Sequence, residues 1–241
     1  LASGDADTYT VVVALRGEAS SEGGEIIEAT PLDLVPGAPI VMAFARVGMG
    51  SVFVAGDSNL WVLTDEDVDG MMSLNERNNR QLAYNVLDYP WCMVPGCRQI
   101  LFDETHGWAS DAVTGAYNIE DGFRELAAFL QRRGHIVHSL QKPAPLDLPT
   151  LEGYDVLVLM LPKEAYTDPE KEAIARWVRD GGRLVTVSDW TPWAGSSPAI
   201  LNEVHSYLGD GLSHAADIVQ DPTDHAASLA TWPLIHEFAP E

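Results

Sequence analysis

Residues 65–76 read DEDVDGMMSLNE. Carboxylates stand at Asp65, Asp67 and Asp69, glycine follows at 70, and Glu76 closes the stretch at its twelfth position. Short acids at alternate positions, a glycine at the sixth and a glutamate at the twelfth form the spacing that wraps a hard divalent cation. Calcium takes about six to eight oxygens, and a tight loop turns alternate groups onto one centre. Gly70 permits the bend. Met71 would contribute its backbone carbonyl, which leaves its side chain free to vary, and Ser73 would act through a water. The expected metal ligands are therefore Asp65, Asp67, Asp69, Met71, Ser73 and Glu76, and the expected ion is Ca2+. Without it these carboxylates would repel one another.

The residues after the loop agree with this reading. Ser73 and Glu76 have the spacing of a capping box, and the stretch 74–89 carries Leu82, Val86 and Tyr89 at helical intervals. One geometry then serves both the ion and the start of the helix. The entering segment SVFVAGDSNLW reads as strand and turn rather than helix. The site is EF-hand-like but single, a strand–loop–helix brace whose expected role is structural.

A second group of residues could do acid–base chemistry. Asp103, Glu104 and His106 follow an apolar run, QILF, that reads as a buried strand. Ligands of open α/β sheets bind beyond the carboxyl ends of the strands. Asp57 and Asp189 would converge on the same edge, with Trp108 and Trp190 as apolar walls. Carboxylates and a histidine gathered there could bind a metal or catalyse hydrolysis. The competing expectation is that Asp103 and Asp57 only cap helices and tie loops through backbone N–H groups. His135 and His138 lie three apart on a strand and must face opposite sides. His205, His214, His225 and His236 are expected on loops at the surface.

Composition narrows the classes. The 241 residues carry 36 Asp and Glu against 14 Lys and Arg, a formal charge of −22. That field repels phosphate backbones and anionic membranes, so nucleic-acid binding is not expected. Hydrophobic residues make up 46%, enough for an ordered core. No apolar run is long enough to cross a bilayer, and no signal peptide is visible. Cys92 and Cys97 flank a Pro95–Gly96 turn, spaced for a local disulfide or for two free thiols.

The remaining pattern alternates strand and helix. YTVVVAL and GEIIEA read as strands, and two apolar runs within 39–57, split by Gly48-Met49-Gly50, read as a β-hairpin. Ile119, Phe123, Leu126 and Leu130 fall on one helix face, HIVHSL and RLVTVSDW read as strands, and YDVLVLMLP has the unbroken apolarity of a parallel strand buried on both sides. Thr167 and Glu170 form a capping box for the helix that Gly181 ends. Residues 191–241 read as loop with short helices near 198–208 and 224–231. The expected class is α/β, a mostly parallel doubly wound sheet with helices on both faces.

Residues 99–190, through ILFDETHGW, YDVLVLMLP and YTDPEKEAIARWVRDGGRLVTVSDW, resemble the first half of the class I glutamine-amidotransferase-like fold, a flavodoxin-like domain. GSVFVAGDSNLW and NERNNRQLAYNVLDY resemble that family's closing half. The order is reversed, which implies one permuted domain over 1–241, with closing half 1–90 and opening half 99–241. The alternative is the end of one tandem domain, 1–93, and the start of the next, 98–241. The resemblance is to the non-catalytic branch. Ser188 and Asp189 stand where the family's enzymes carry a cysteine elbow, and no glycines flank them. The expectation is a binding or scaffolding domain of an exported protein, secreted or periplasmic, braced by one calcium ion, with another protein or a carbohydrate as partner. The alternative is a hydrolase using Asp103, Glu104, His106 and Asp189.

Overall fold

The computed structural model describes residues 11–14, 25–27, 40–56, 61, 79–87, 98–107, 118–189 and 195–215. Strands β1 (Val11–Ala14), β2 (Glu25–Ile27), β3 (Ile40–Val47) and β4 (Gly50–Ala55) precede helix α1 (Asn79–Leu87). Next come β5 (Gln99–Asp103), α2 (Arg124–Arg132), β6 (Ile136–Leu140), α3 (Leu148–Leu151), β7 (Val156–Met160), α4 (Asp168–Arg179), β8 (Arg183–Val187) and α5 (Ser197–Leu208). The hairpin, the apolar strands and the helix capped by Thr167 and Glu170 stand where the sequence pattern put them.

The eight described strands form one sheet in the order β2-β1-β3-β4-β8-β7-β5-β6. Strands β4, β8, β7, β5 and β6 run parallel, while β1, β2 and β3 join by antiparallel pairings. The junction of the two regions is β4 on β8, with Ser51 opposite Arg183 and Ala55 opposite Val187. Counted from β5, with β4 last, the parallel strands have the doubly wound order 2-1-3-4-5.

Strand alternation sorts the core into two layers. Ile100, Phe102, Val156, Val158, Phe53 and Val185 meet α1 and α2 through Leu87, Leu126 and Leu130. Leu101, Leu157, Leu159, Val52 and Leu184 meet α3, α4 and α5 through Leu151, Ile174, Val178 and Leu201. The chain thus leaves β5 over one face and β7 over the other. That reversal makes the carboxyl ends of β5 and β7 the topological switch point, the usual place for a ligand in such sheets.

The hairpin turn is held against the end of α4. Met49 N–H donates to the Arg179 carbonyl at 2.9 Å, and Ser51 N–H to Gly182 at 3.2 Å. Gly48 has φ +62°, and a Cβ on Gly50 would collide with the carbonyls of Val178 and Gly182. On the other face, the buried Arg183 donates through Nη1 to the Val86 carbonyl at 3.0 Å and fastens the last turn of α1 to the sheet.

Gly50→Ala should therefore cost about 2–4 kcal/mol in urea unfolding. Gly134→Ala, at φ +92° with open space around it, should cost only about 1–2 kcal/mol. A Gly50 variant no less stable than the Gly134 variant would contradict the packed turn.

Candidate functional site

The carboxyl end of β5 delivers Asp103 to this edge of the sheet, and the alternation of the strand sets the directions of Asp103 and Glu104. Leu101 belongs to the α3–α4–α5 layer and Phe102 to the other. Asp103 accordingly turns toward the first of these layers and Glu104 toward the second. The two carboxylates do not share a centre.

Asp103 is 5% exposed and accepts four hydrogen bonds. Oδ1 takes the Thr105 N–H at 3.0 Å and the Thr105 hydroxyl at 2.6 Å. Oδ2 takes the Tyr166 hydroxyl at 2.8 Å and His106 Nδ1 at 3.0 Å. Tyr166 comes from the β7–α4 loop, and its ring lies 4.2 Å from that of His106, centroid to centroid. The other imidazole nitrogen, Nε2, is 3.4 Å from Glu170 Oε1. Glu170 is itself committed, since Oε2 accepts the Thr167 N–H and hydroxyl at the start of α4. The capping box read from the sequence therefore also places an acid beside His106. The His106 carbonyl accepts Lys163 N–H at 2.7 Å, which ties the segment after β5 to the β7–α4 loop.

The charges follow from these contacts. Burial would raise the pKa of Asp103, but the hydrogen bond and charge of His106, with the two hydroxyls, hold it below the ordinary value. Burial would lower the pKa of His106, but Asp103, and then the charges of Glu170 and Glu164, hold it above. Burial, and then Asp103, push the Tyr166 phenol far up, so it stays a donor. Glu104 is raised by burial, partly offset by the Ile119 N–H at 2.9 Å and by Gln141 at 3.2 Å.

Ser188 and Asp189 follow β8, two strands from β5 and so roughly 10 Å away across the sheet. Ser188 is 1% exposed and donates to the Ser197 hydroxyl at 3.1 Å. Asp189 is half-buried. Asp57, Trp108, Trp190, Cys92, Cys97, His225, His236 and the whole loop 65–76 lie outside the described residues. Among the described residues, no group of three or more His, Cys, Asp and Glu is placed to hold a metal ion.

Two expectations from the sequence need correction. His205 and His214 are not surface residues: they are 2% and 6% exposed, and both bond to Thr186. Sequence reasoning also missed Tyr166, whose partner is 63 residues away, and the role of Glu170 beyond its helix.

The fold and site define a three-layer, doubly wound α/β protein whose carboxyl edge is filled by its own hydrogen bonds. Residues 118–231, a little under half of the chain, match the family described as "Domain of unknown function (DUF4350)". No match to a curated protein was found. Among solved structures, the chain is similar to IMPa from Pseudomonas aeruginosa, described in complex with an O-glycopeptide. That similarity has 11% identity and a TM-score of 0.42, over 86% of this chain and 20% of the other. No helix among the described residues is long and apolar enough to cross a membrane.

Tyr166→Phe removes one donor from a buried carboxylate and should cost about 1–2 kcal/mol in urea unfolding at neutral pH. A folded-state pKa held low contributes stability above the ordinary value near 3.8, lost as pH falls through the folded value. Losing the Tyr166 donor raises that folded value, so acid unfolding of the variant should begin at higher pH. An unchanged acid limb would contradict the role given to Tyr166.

Proposed function

We propose that the protein is a non-catalytic binding or scaffolding domain of an exported protein, braced by one structural calcium ion. The observation that supports this reading is how the acids at the sheet edge are used. Asp103 is satisfied by Thr105, Tyr166 and His106, and Glu104 accepts the Ile119 N–H on the opposite layer. A hydrolase needs its acid and base aimed at one substrate. Carboxylates sent to opposite faces hold loops in place instead. The serine that follows β8, where the resemblance would look for a nucleophile, is buried against Ser197.

Calcium rests on the loop 65–76. Its oxygens would come from Asp65, Asp67, Asp69, the Met71 carbonyl, Ser73 through a water, and Glu76. The loop joins β4 to α1 in the chain, so the ion would fix the junction of a central strand with a helix of the covering layer. Millimolar calcium outside cells fits a site of this class, and supports the exported reading. The partner would be another protein or a carbohydrate.

Calcium titration of the metal-free protein is the test. At a hundred times Kd the ion should add about 2.7 kcal/mol, a rise in Tm of roughly 5–10 °C for a chain of this size. Asp65→Ala and Glu76→Gln should each remove most of that rise. No heat of binding and no thermal shift at roughly 10 mM calcium would overturn the proposal.

A further inference from the structure

A second buried group of titratable residues lies in the α3–α4–α5 layer, away from the edge of β5. Thr186, the penultimate residue of β8, is fully buried. Its Oγ1 is 3.1 Å from His205 Nε2 on α5 and 3.0 Å from His214 Nε2 in the segment that follows α5. His205 Nδ1 is 2.8 Å from Asp210 Oδ2. Asp210 also accepts the Leu212 N–H at 2.9 Å. The backbone of His214 is fastened to Asn202 by two bonds, N–H to Oδ1 at 2.7 Å and Nδ2 to carbonyl at 2.9 Å.

The Thr186 hydroxyl has two acceptors within reach, His205 Nε2 and, at 3.4 Å, the Phe53 carbonyl. A carboxylate only accepts, so His205 Nδ1 donates to Asp210. When His205 carries a single proton, its Nε2 is an acceptor and takes the Thr186 hydroxyl, the shorter of that hydroxyl's two contacts. Thr186 Oγ1 in turn accepts from His214 Nε2–H. That leaves His214 Nδ1 as a bare acceptor, buried, with no hydrogen-bond partner among the described residues.

We propose that the chain Asp210–His205–Thr186–His214 is an acid-sensitive latch that holds residues 209–215 and the end of α5 against β8, and that a proton on His214 releases it. The groups facing His214 decide this. From β8 it meets Thr186, which is neutral. From α5 it meets His205 and the neutral Asn202. The Asp210 carboxylate is turned to His205 and Leu212. A cation at His205 would face Asp210, whereas a cation at His214 faces no carboxylate among these groups, and its nearest titratable neighbour is another histidine, 5.6 Å away between ring centroids. Burial, and then His205, accordingly lower the pKa of His214 to about 3. The proton is taken up only when the segment swings into water.

The sign is that of a depressed folded value. Stability is complete above the ordinary pKa of 6.5 and is lost as pH falls from there toward 3. The direction is opposite at His106, whose raised pKa contributes stability at low pH and loses it as pH rises. Between pH 7.5 and 5, above most carboxylate titration, one such proton lowers the closed-to-open ratio about 30-fold.

Amide hydrogen exchange of residues 208–215, corrected for intrinsic rates, tests this on the full chain at pH 7.5, 6.5, 5.5 and 5. The wild type should lose protection about 30-fold. His214→Gln, which keeps a donor for Thr186 but cannot be protonated, should lose less than about 3-fold. An equal loss in both proteins, or no loss in the wild type, overturns the proposal. If the variant fails to fold, the His214 ring resonance of the wild type decides. A titration near the ordinary 6.5 with protection unchanged overturns the latch, and proton uptake that tracks loss of protection supports it.

Discussion

The pairing of β4 with β8 is the constraint on which the rest depends. It is the only contact in the sheet between a strand from residues 11–55 and one from residues 99–187 among the described residues. Both strands are buried along their whole length. Splitting them would expose Val52, Val54, Leu184 and Val185 to water at roughly 2 kcal/mol or more each. It would also strip a run of backbone groups of their partners. The hairpin turn on α4 and the Arg183 bond to α1 then lock the pairing from both sides.

That central pairing sets the frame in which the carboxyl edge is built. Burying acid and imidazole groups is costly unless their protons and lone pairs are answered. Asp103 meets that condition with four donors. Its charge in turn keeps His106 basic. His214 shows the other outcome, since burial without a facing carboxylate keeps its ring neutral. The same residue type is driven in opposite directions by the presence or absence of a facing carboxylate, and the tied edge and the releasable segment are consequences of that difference.

How much of this was legible in the sequence depends on the range of the interaction. The β7 strand was legible because VLVLM is apolar at every position, as burial on both faces requires. Helix α4 was legible because its cap is local, with Thr167 and Glu170 three residues apart. Helix α3, four residues long and started by the Asp147 side chain on Thr150, is too short to show periodicity. The Tyr166 bond to Asp103 spans 63 residues, and no local pattern encodes it. Strand alternation could have shown that Asp103 and Glu104 diverge, since neighbours on an extended chain face opposite sides. His205 and His214 read as surface residues because their partners, Thr186 and Asp210, acquire meaning only once α5 packs on β8.

Native-state hydrogen exchange across the sheet tests the central pairing most directly. If β4 and β8 are adjacent strands of one cooperative core, amides of Val52–Val54 and Leu184–Thr186 that lie in the ladder should exchange together, at the free energy of global unfolding. Rapid exchange of β4 while β5, β7 and β8 stay protected would show that the first strands are a separate unit, and would contradict the account.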